Sequence, residues 1–338
     1  MICFKKSHAI STLILVYLYG MNPNKLFERI NLGVPFERYM EDIEKEYPNI
    51  GTIQKYSPIQ EGYEDANFFL STSNGKYVLK IFSKDRTEKN IKDYIKIIQE
   101  ARKIGVQTLE IIPNNKNSFY LFNGSYSIIT SFFEGKSFKF IKPSLDEIAL
   151  VTENISRLNT LNFDVEESYD SWGSKNLVTE HDKSKVQNEL VRREILPLVE
   201  FLKQQDYSQF SKGIIHGDMQ RQHVLKNEKN ICIIDYGCAR RDFKIYEVSV
   251  FLAWFCLAQD SWDEREKILK EVIEKYTEVN NLTTGEIDNI KPLIAASYAA
   301  YYLKTTELIE NGDHSQETTD WNNSSRQMFE KCMDWVRV

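Results

Sequence analysis

Hydrophobic and polar residues alternate with a period of two in three short runs near the start of the chain, and recur with a helical period over most of the remainder. Segments 52–59, 66–72 and 77–82 read as strands, the last two joined by Ser73-Asn74-Gly75, a hairpin turn signal. A helix is expected over 35–47, and an amphipathic one over 87–104, where apolar residues fall at 91, 94, 95 and 98. Segment 126–135, YSIITSFFEG, is an apolar strand that runs into Glu-Gly. Beyond it the periodicity predicts helices over 145–161, 185–205 and 265–276. One stretch breaks the helical pattern. Val224-Leu225 and 231–234 are two short apolar runs around the polar turn 226–230, which predicts a hairpin.

Chemistry-bearing residues cluster around that hairpin, in IIHGDMQRQHVLKNEKNICIIDYG from Ile214 to Gly237. His223 and Asp235 lie symmetrically about residue 229, so they are expected to face each other across its open end, where two ligands can hold one cation. Asp218 sits five residues before His223 in a loop shaped by Gly217, where its carboxylate can accept a proton from a hydroxyl near the same cation. Phosphoryl transfer needs this set: one carboxylate to orient the nucleophile, and ligands for the metal that neutralises the γ-phosphate. Solvated charges on a hairpin are the plain alternative, and two acids with a histidine at these spacings weigh against it. Lys80 stands between Leu79 and Ile81 in an apolar strand, and a charge there needs a partner or a ligand.

The string resembles the catalytic loop and metal segment of the aminoglycoside phosphotransferase and choline kinase superfamily, with its H-G-D-x-x-x-x-N followed by I-D-[FWY]. The resemblance implies an α+β, two-lobed protein-kinase-like fold. Residues 21–133 would form a small antiparallel-sheet N-lobe for the nucleotide, and 134–338 a mainly helical C-lobe with the catalytic loop, metal and substrate. It implies an ATP-dependent kinase acting on a hydroxyl of a small molecule, with GTP as an alternative nucleotide. Asp218 is then the catalytic acid, His216 packs the loop, Asp235 is a metal ligand and Lys80 holds the α- and β-phosphates. His223 occupies the family's Asn position. A neutral imidazole ligates divalent ions, and it shifts preference from Mg²⁺ towards Mn²⁺. The 2″-phosphotransferase branch resembles this chain in having His there; the change also admits a nucleotide-binding pseudokinase with a sensor or structural role. By the same resemblance, Ser131 and Phe133 offer backbone groups to the adenine edge, and 61–68 covers the phosphates as in homoserine and hydroxylysine kinases. Glu247, in Tyr246-Glu247-Val248-Ser249, braces the catalytic loop. An acid of the 87–104 helix pairs with Lys80: spacing favours Asp93, and the apolar face favours Glu88. The Gly-rich loop, H-R-D and A-P-E of protein kinases are missing.

Composition narrows the partners. The formal net charge is −6 and no basic run of five occurs, which argues against nucleic acid. Residues 257–338 hold nine Lys and Arg against sixteen Asp and Glu. With Trp254, Trp262, Tyr298, Tyr301 and Trp321, this acidic balance suggests a cationic acceptor, an amine-bearing alcohol or aminoglycoside. Five cysteines without a C-x-x-C pair fit reduced thiols in a cytoplasmic protein. Residues 10–19 form an apolar run too short to span a bilayer, and 1–20 read as an extension or a mis-assigned start ahead of Met21.

Overall fold

The structure is a computed structural model that describes residues 33–59, 65–166 and 169–336. The expectations for residues 1–20, for Met21, and for Glu61 to Glu64 of the covering turn lie outside the described residues. The chain divides into two compact units. The first comprises the described residues up to Gln99 together with Leu109–Phe133, and the second comprises Glu100–Thr108 and the chain from Glu134 onward.

The first unit is a sheet packed on a helix. Helix α1 (Phe36–Glu46) buries Phe36, Tyr39, Met40 and Ile43, an i, i+3, i+4, i+7 stripe. That stripe joins Phe68, Leu70, Leu79, Ile81 and Ile129 of the sheet in one core. Strands β1 (Ile53–Ile59), β2 (Ala66–Thr72) and β3 (Gly75–Ile81) form an antiparallel meander. Helix α2 (Glu88–Lys103) comes next, then β4 (Ile111–Ile112), β5 (Tyr120–Phe122) and β6 (Ser125–Ser131). The strand order is β1-β2-β3-β6-β4, with β5 also on β6. In β2 every second residue is buried, as its alternating sequence requires. β3 departs from alternation: Leu79, Lys80 and Ile81 are all buried, so Lys80 is not on an exposed strand face.

In the second unit, β7 (Lys136–Ser137) precedes helix α3 (Leu145–Leu158), α4 (Leu177–Lys183) and α5 (Glu189–Lys203). Strand β8 (Lys212–Ile215) leads to the hairpin β9 (Val224–Lys226) and β10 (Ile231–Ile233), and β9 also pairs with β7. Strand β11 (Arg240–Phe243) returns to pair with β8, and α6 (Lys244–Phe251) continues into a π-helical turn, Leu252–Cys256. Helices α7 (Arg265–Thr277), α8 (Thr284–Glu310) and α9 (Gln316–Val336) complete it. Two helices differ from the periodicity at one end. The helix expected over 145–161 stops at Leu158, where Asn159 turns away and donates from Nδ2 to Ile214 O at 2.9 Å. The one expected over 185–205 starts at Glu189, where Asn188 caps the N–H of Leu190.

A helix cap also anchors the chain entering β8. Thr283 and Glu286 form a capping box at the start of α8, and Glu286 Oε1 also accepts from Ser211 N and Oγ, both at 2.8 Å. Cys232, Cys238, Cys256 and Cys332 are free thiols, and all but Cys238 are buried. Burial pushes the Cys232 thiol up to about 12. Among the described residues no helix is long and apolar enough to cross a membrane.

Glu286 is fully buried and serves four donors. Its loss leaves the N–H groups of Ser211 and Thr283 without acceptors, so Glu286→Ala should lower stability by about 2–4 kcal/mol. The exposed Glu317→Ala should stay within about 0.5 kcal/mol of wild type. Denaturant midpoints of the two variants test this.

Candidate active site

Strand β8 delivers the chain into His216-Gly217-Asp218, where backbone constraints fix the path of the loop. Gly217 has φ +80°, and a Cβ there would lie 2.7 Å from Cys238 O and 2.8 Å from Arg240 Nη1. Only glycine fits. Glu247, fully buried on α6, accepts hydrogen bonds through Oε2 from the backbone N–H of His216 and, at 3.3 Å, of Gly217. This is the bracing contact expected of it. His216 is itself buried, with Nδ1 accepting from Asp218 N at 3.3 Å and Nε2 lying 2.9 Å from Ile234 O. These contacts assign the proton to Nε2. Burial lowers the His216 pKa to about 4, so the ring is neutral.

The hairpin register is one residue away from the symmetric expectation. Lys226 pairs with Ile231, which leaves a four-residue turn, Asn227 to Asn230, closed by Asn227 Oδ1 accepting from Lys229 N and Asn230 N. An even loop has its midpoint between two residues. His223 O therefore accepts from Ile234 N at 2.9 Å, and Asp235 lies one step beyond the ladder. Asp235 adopts a left-handed backbone, φ 63° and ψ 66°, a region sparsely occupied outside Gly, Asn and Asp. Its Oδ2 is 3.8 Å from His223 Nε2, so the two side chains still converge.

His223 is oriented from its other nitrogen. Nδ1 is 2.8 Å from Asp218 O, so it donates there, and Nε2 lies on the side of Asp235. Metal-ligating histidines are commonly held in this way. Among the described residues no group of three or more His, Cys, Asp and Glu converges on one metal position; His223 and Asp235 form a pair. Two protein ligands suit a divalent ion that keeps waters and phosphate oxygens in its remaining positions.

Asp218 keeps about a quarter of its side chain exposed. Oδ1 accepts from Gln220 Nε2 at 2.6 Å, and Oδ2 lies 3.4 Å from His223 Nδ1. Desolvation raises its pKa, while His223 and the Gln220 amide oppose that rise. Gln220 Nε2 is also 2.6 Å from Tyr301 Oη. The Tyr301 ring centroid lies 4.4 Å from Trp254, 5.1 Å from Trp172 and 5.6 Å from Trp321. Trp172 N donates to Asp170 Oδ1 at 2.9 Å.

Two expectations about the aromatic group and its acids are corrected. Trp262 is not in this aromatic group; it packs on Trp335 at 5.5 Å. Acids of 257–338 are paired elsewhere: Asp260 with Arg221, Glu278 with Lys275 and Glu307 with Lys304. The acid next to the rings is Asp170, on a loop with no periodicity to mark it. In the first unit, Ser131 N donates to Glu110 O at 2.8 Å and Ser131 Oγ accepts from Glu110 N at 2.9 Å.

Lys80 is 7% exposed, and its Nζ meets Asp65 Oδ2 at 2.9 Å. Of the two acids considered for it, Asp93 is engaged by Lys89 at 2.7 Å and Glu88 by Lys92 at 2.6 Å. Asp65 was not among the candidates. Cross-strand register explains its place: Asn67 opposes Lys80, and Asp65 ends the loop two residues before, with Oδ1 accepting from Ser83 N at 3.1 Å.

Glu247 gives this site a pH signature. Burial raises its pKa from 4.5 to about 7, against the pull of the two loop N–H groups. Between those values the native chain holds on Glu247 a proton that the unfolded chain has released, so the Glu247 contribution to stability falls as pH rises through that window, opposed by His216, whose lowered pKa makes its own contribution rise between about 4 and 6.5. The Glu247 change amounts to up to about 3 kcal/mol. In Glu247→Gln this fall should vanish, as seen by comparing denaturant midpoints of variant and wild type across the same pH range. Parallel profiles would show that Glu247 does not titrate there.

Comparison with known proteins agrees with this geometry. Residues 55–278 match the family described as "Phosphotransferase enzyme family". Homoserine kinase of Brucella ovis is 23% identical over 265 residues, covering 76% of this chain and 80% of its own. Among solved structures, an amicoumacin kinase in complex with AMP-PNP, Ca²⁺ and its antibiotic has a TM-score of 0.69 at 12% identity, covering 91% of this chain and 96% of that one. A microcompartment-associated aminopropanol kinase has a TM-score of 0.64 at 12% identity, with 88% and 98% covered. These likenesses establish the kinase-like fold, an antiparallel sheet followed by a mainly helical remainder. The chain belongs to the phosphotransferase enzyme family and is a small-molecule kinase that phosphorylates a hydroxyl group.

Proposed function

We propose that this kinase transfers the γ-phosphoryl group of ATP to a hydroxyl of an amine-bearing alcohol or aminoglycoside. The observation that carries the reading is the convergence of Asp218, His223 and Asp235 beside an aromatic group that includes Trp172, Tyr301 and Trp254. Asp218 accepts a hydrogen bond from the acceptor hydroxyl and takes its proton as the new P–O bond forms. His223 Nε2 and Asp235 would hold a divalent ion, which would offset the charge of the β- and γ-phosphates. His216, neutral and buried, fixes the backbone of Asp218 and thereby the direction of its carboxylate. Lys80, kept in place by Asp65, supplies a cation for the α- and β-phosphates. The rings and Asp170 favour an ammonium group over a neutral one. Homoserine kinase and aminopropanol kinase, among the proteins this chain resembles, are named for acceptors that carry both an amine and a hydroxyl.

An ADP-release assay over a panel of amino alcohols, aminoglycosides and matched neutral polyols tests the acceptor class. Higher kcat/KM for the amines, declining as salt is added, is expected; equal use of the polyols would overturn it. Asp218→Asn and Asp235→Asn should each lower turnover by about 10²-fold or more with the fold intact. His223→Ala should weaken metal-dependent nucleotide binding, and His223→Asn should restore it with Mg²⁺ at some cost with Mn²⁺. An unchanged metal titration in His223→Ala would assign that ring to loop packing alone.

A further inference from the structure

Beside Asp218 lies one buried polar atom that nothing in the described structure satisfies. Gln220 is 4% exposed, and its Nε2 is directed to both Asp218 Oδ1 and Tyr301 Oη, each at 2.6 Å. Both amide hydrogens are thereby engaged. Its Oε1 is buried and has no hydrogen-bond partner among the described residues. A flipped amide would press Oε1 against the Asp218 carboxylate, so the assignment comes from the network. An unsatisfied buried acceptor costs about 1–3 kcal/mol, and a bound molecule that brings a donor to it recovers that loss.

The surroundings select the kind of donor. The Tyr301 ring lies against Trp172, whose backbone N–H holds Asp170 Oδ1. The Asp170 carboxylate is about one-sixth exposed and is 4.0 Å from Arg240 Nη1, whose Nε is bonded to Asp242. Desolvation raises the pKa of Asp218 and of Tyr301, and the negative charge of Asp170 adds a smaller push to each. Aromatic faces, a second carboxylate and an orphaned carbonyl oxygen suit an N–H donor that bears positive charge.

We propose that Gln220 is a specificity residue of this kinase: its Oε1 accepts a hydrogen bond from the ammonium group of the acceptor, with Asp170 as countercharge, while its Nε2 holds Asp218 towards the reacting hydroxyl. This rests on the reading of the chain as a kinase for amine-bearing alcohols. One side chain then couples recognition of the amine to placement of the catalytic carboxylate. An alcohol without the amine leaves Oε1 unpaired, and discrimination arises from that unpaired group rather than from shape.

The test compares an amine-bearing alcohol with its deaminated counterpart, 3-aminopropan-1-ol against propan-1-ol and homoserine against 4-hydroxybutyrate, in wild type, Gln220→Leu, Gln220→Glu and Asp170→Asn. In Gln220→Leu the ratio of kcat/KM for amine over deaminated alcohol should fall about tenfold or more, mostly through KM. Gln220→Glu, which keeps an acceptor oxygen, should retain the amine preference. Asp170→Asn should lower the ratio and reduce its salt dependence. Titration with AMP-PNP and Mn²⁺ should give wild-type nucleotide affinity in every variant, which separates these effects from misfolding. If Gln220→Leu loses both members of a pair by the same factor, Gln220 only positions Asp218 and the ammonium subsite is wrong. If wild type shows no preference for the amine, the broader acceptor reading fails, and the subsite with it.

Discussion

The carboxylate of Glu247 is the contact on which the catalytic loop depends. A buried acid held by two backbone N–H groups replaces solvent for a loop that has left the β8 ladder and has no other partner for those donors. Its position on α6, every residue of which from Ile245 to Phe251 is buried, gives that contact a rigid base. The remaining geometry builds outward from it. Gly217 can turn through φ +80° because its N–H is held, His216 then reaches Ile234 O, and Asp218 is presented with its backbone carbonyl on His223 Nδ1. Adding a side chain at 217 or removing the acceptor at 247 acts on the same loop from opposite sides.

Features carried by contiguous residues were legible in the sequence. β2 matched its segment to the residue because its alternation is unbroken. The hairpin at 224–233 was readable because turn chemistry and apolar runs lie close together along the chain. Features decided by pairing between distant segments escaped. One partner of Lys80 is set by the β2–β3 register, which brings Asp65 within 2.9 Å, and no periodicity of α2 reports on that. The N–H of Ser131 is bound to Glu110 O, a pairing across a loop that the strand pattern does not reveal. The one-residue offset of His223 from Asp235 came from loop parity, which a midpoint argument on sequence numbers does not resolve.

Aromatic composition was a weaker guide than aromatic position. Five rings were grouped by their place in the last part of the chain, and the structure keeps four: Trp254, Tyr298, Tyr301 and Trp321. It adds Trp172, from a loop far earlier in the chain. Net charge over 257–338 likewise included acids held in short-range ion pairs, some within one helix and others between elements, such as Asp260 with Arg221 and Glu266 with Lys291. A single largely buried acid, Asp170, outweighs that surface because few waters screen it.

The cysteines give this chain an internal clock for opening. The four described thiols all belong to the second unit, and burial raises their pKa values, so little thiolate is present in the native state. Alkylation of the three buried thiols, Cys232, Cys256 and Cys332, must therefore wait for the backbone around them to part. With Cys3 replaced by serine, the rate of labelling at these three would report the opening of the second unit alone, residue by residue, while the first unit, which has no cysteine among its described residues, stays silent.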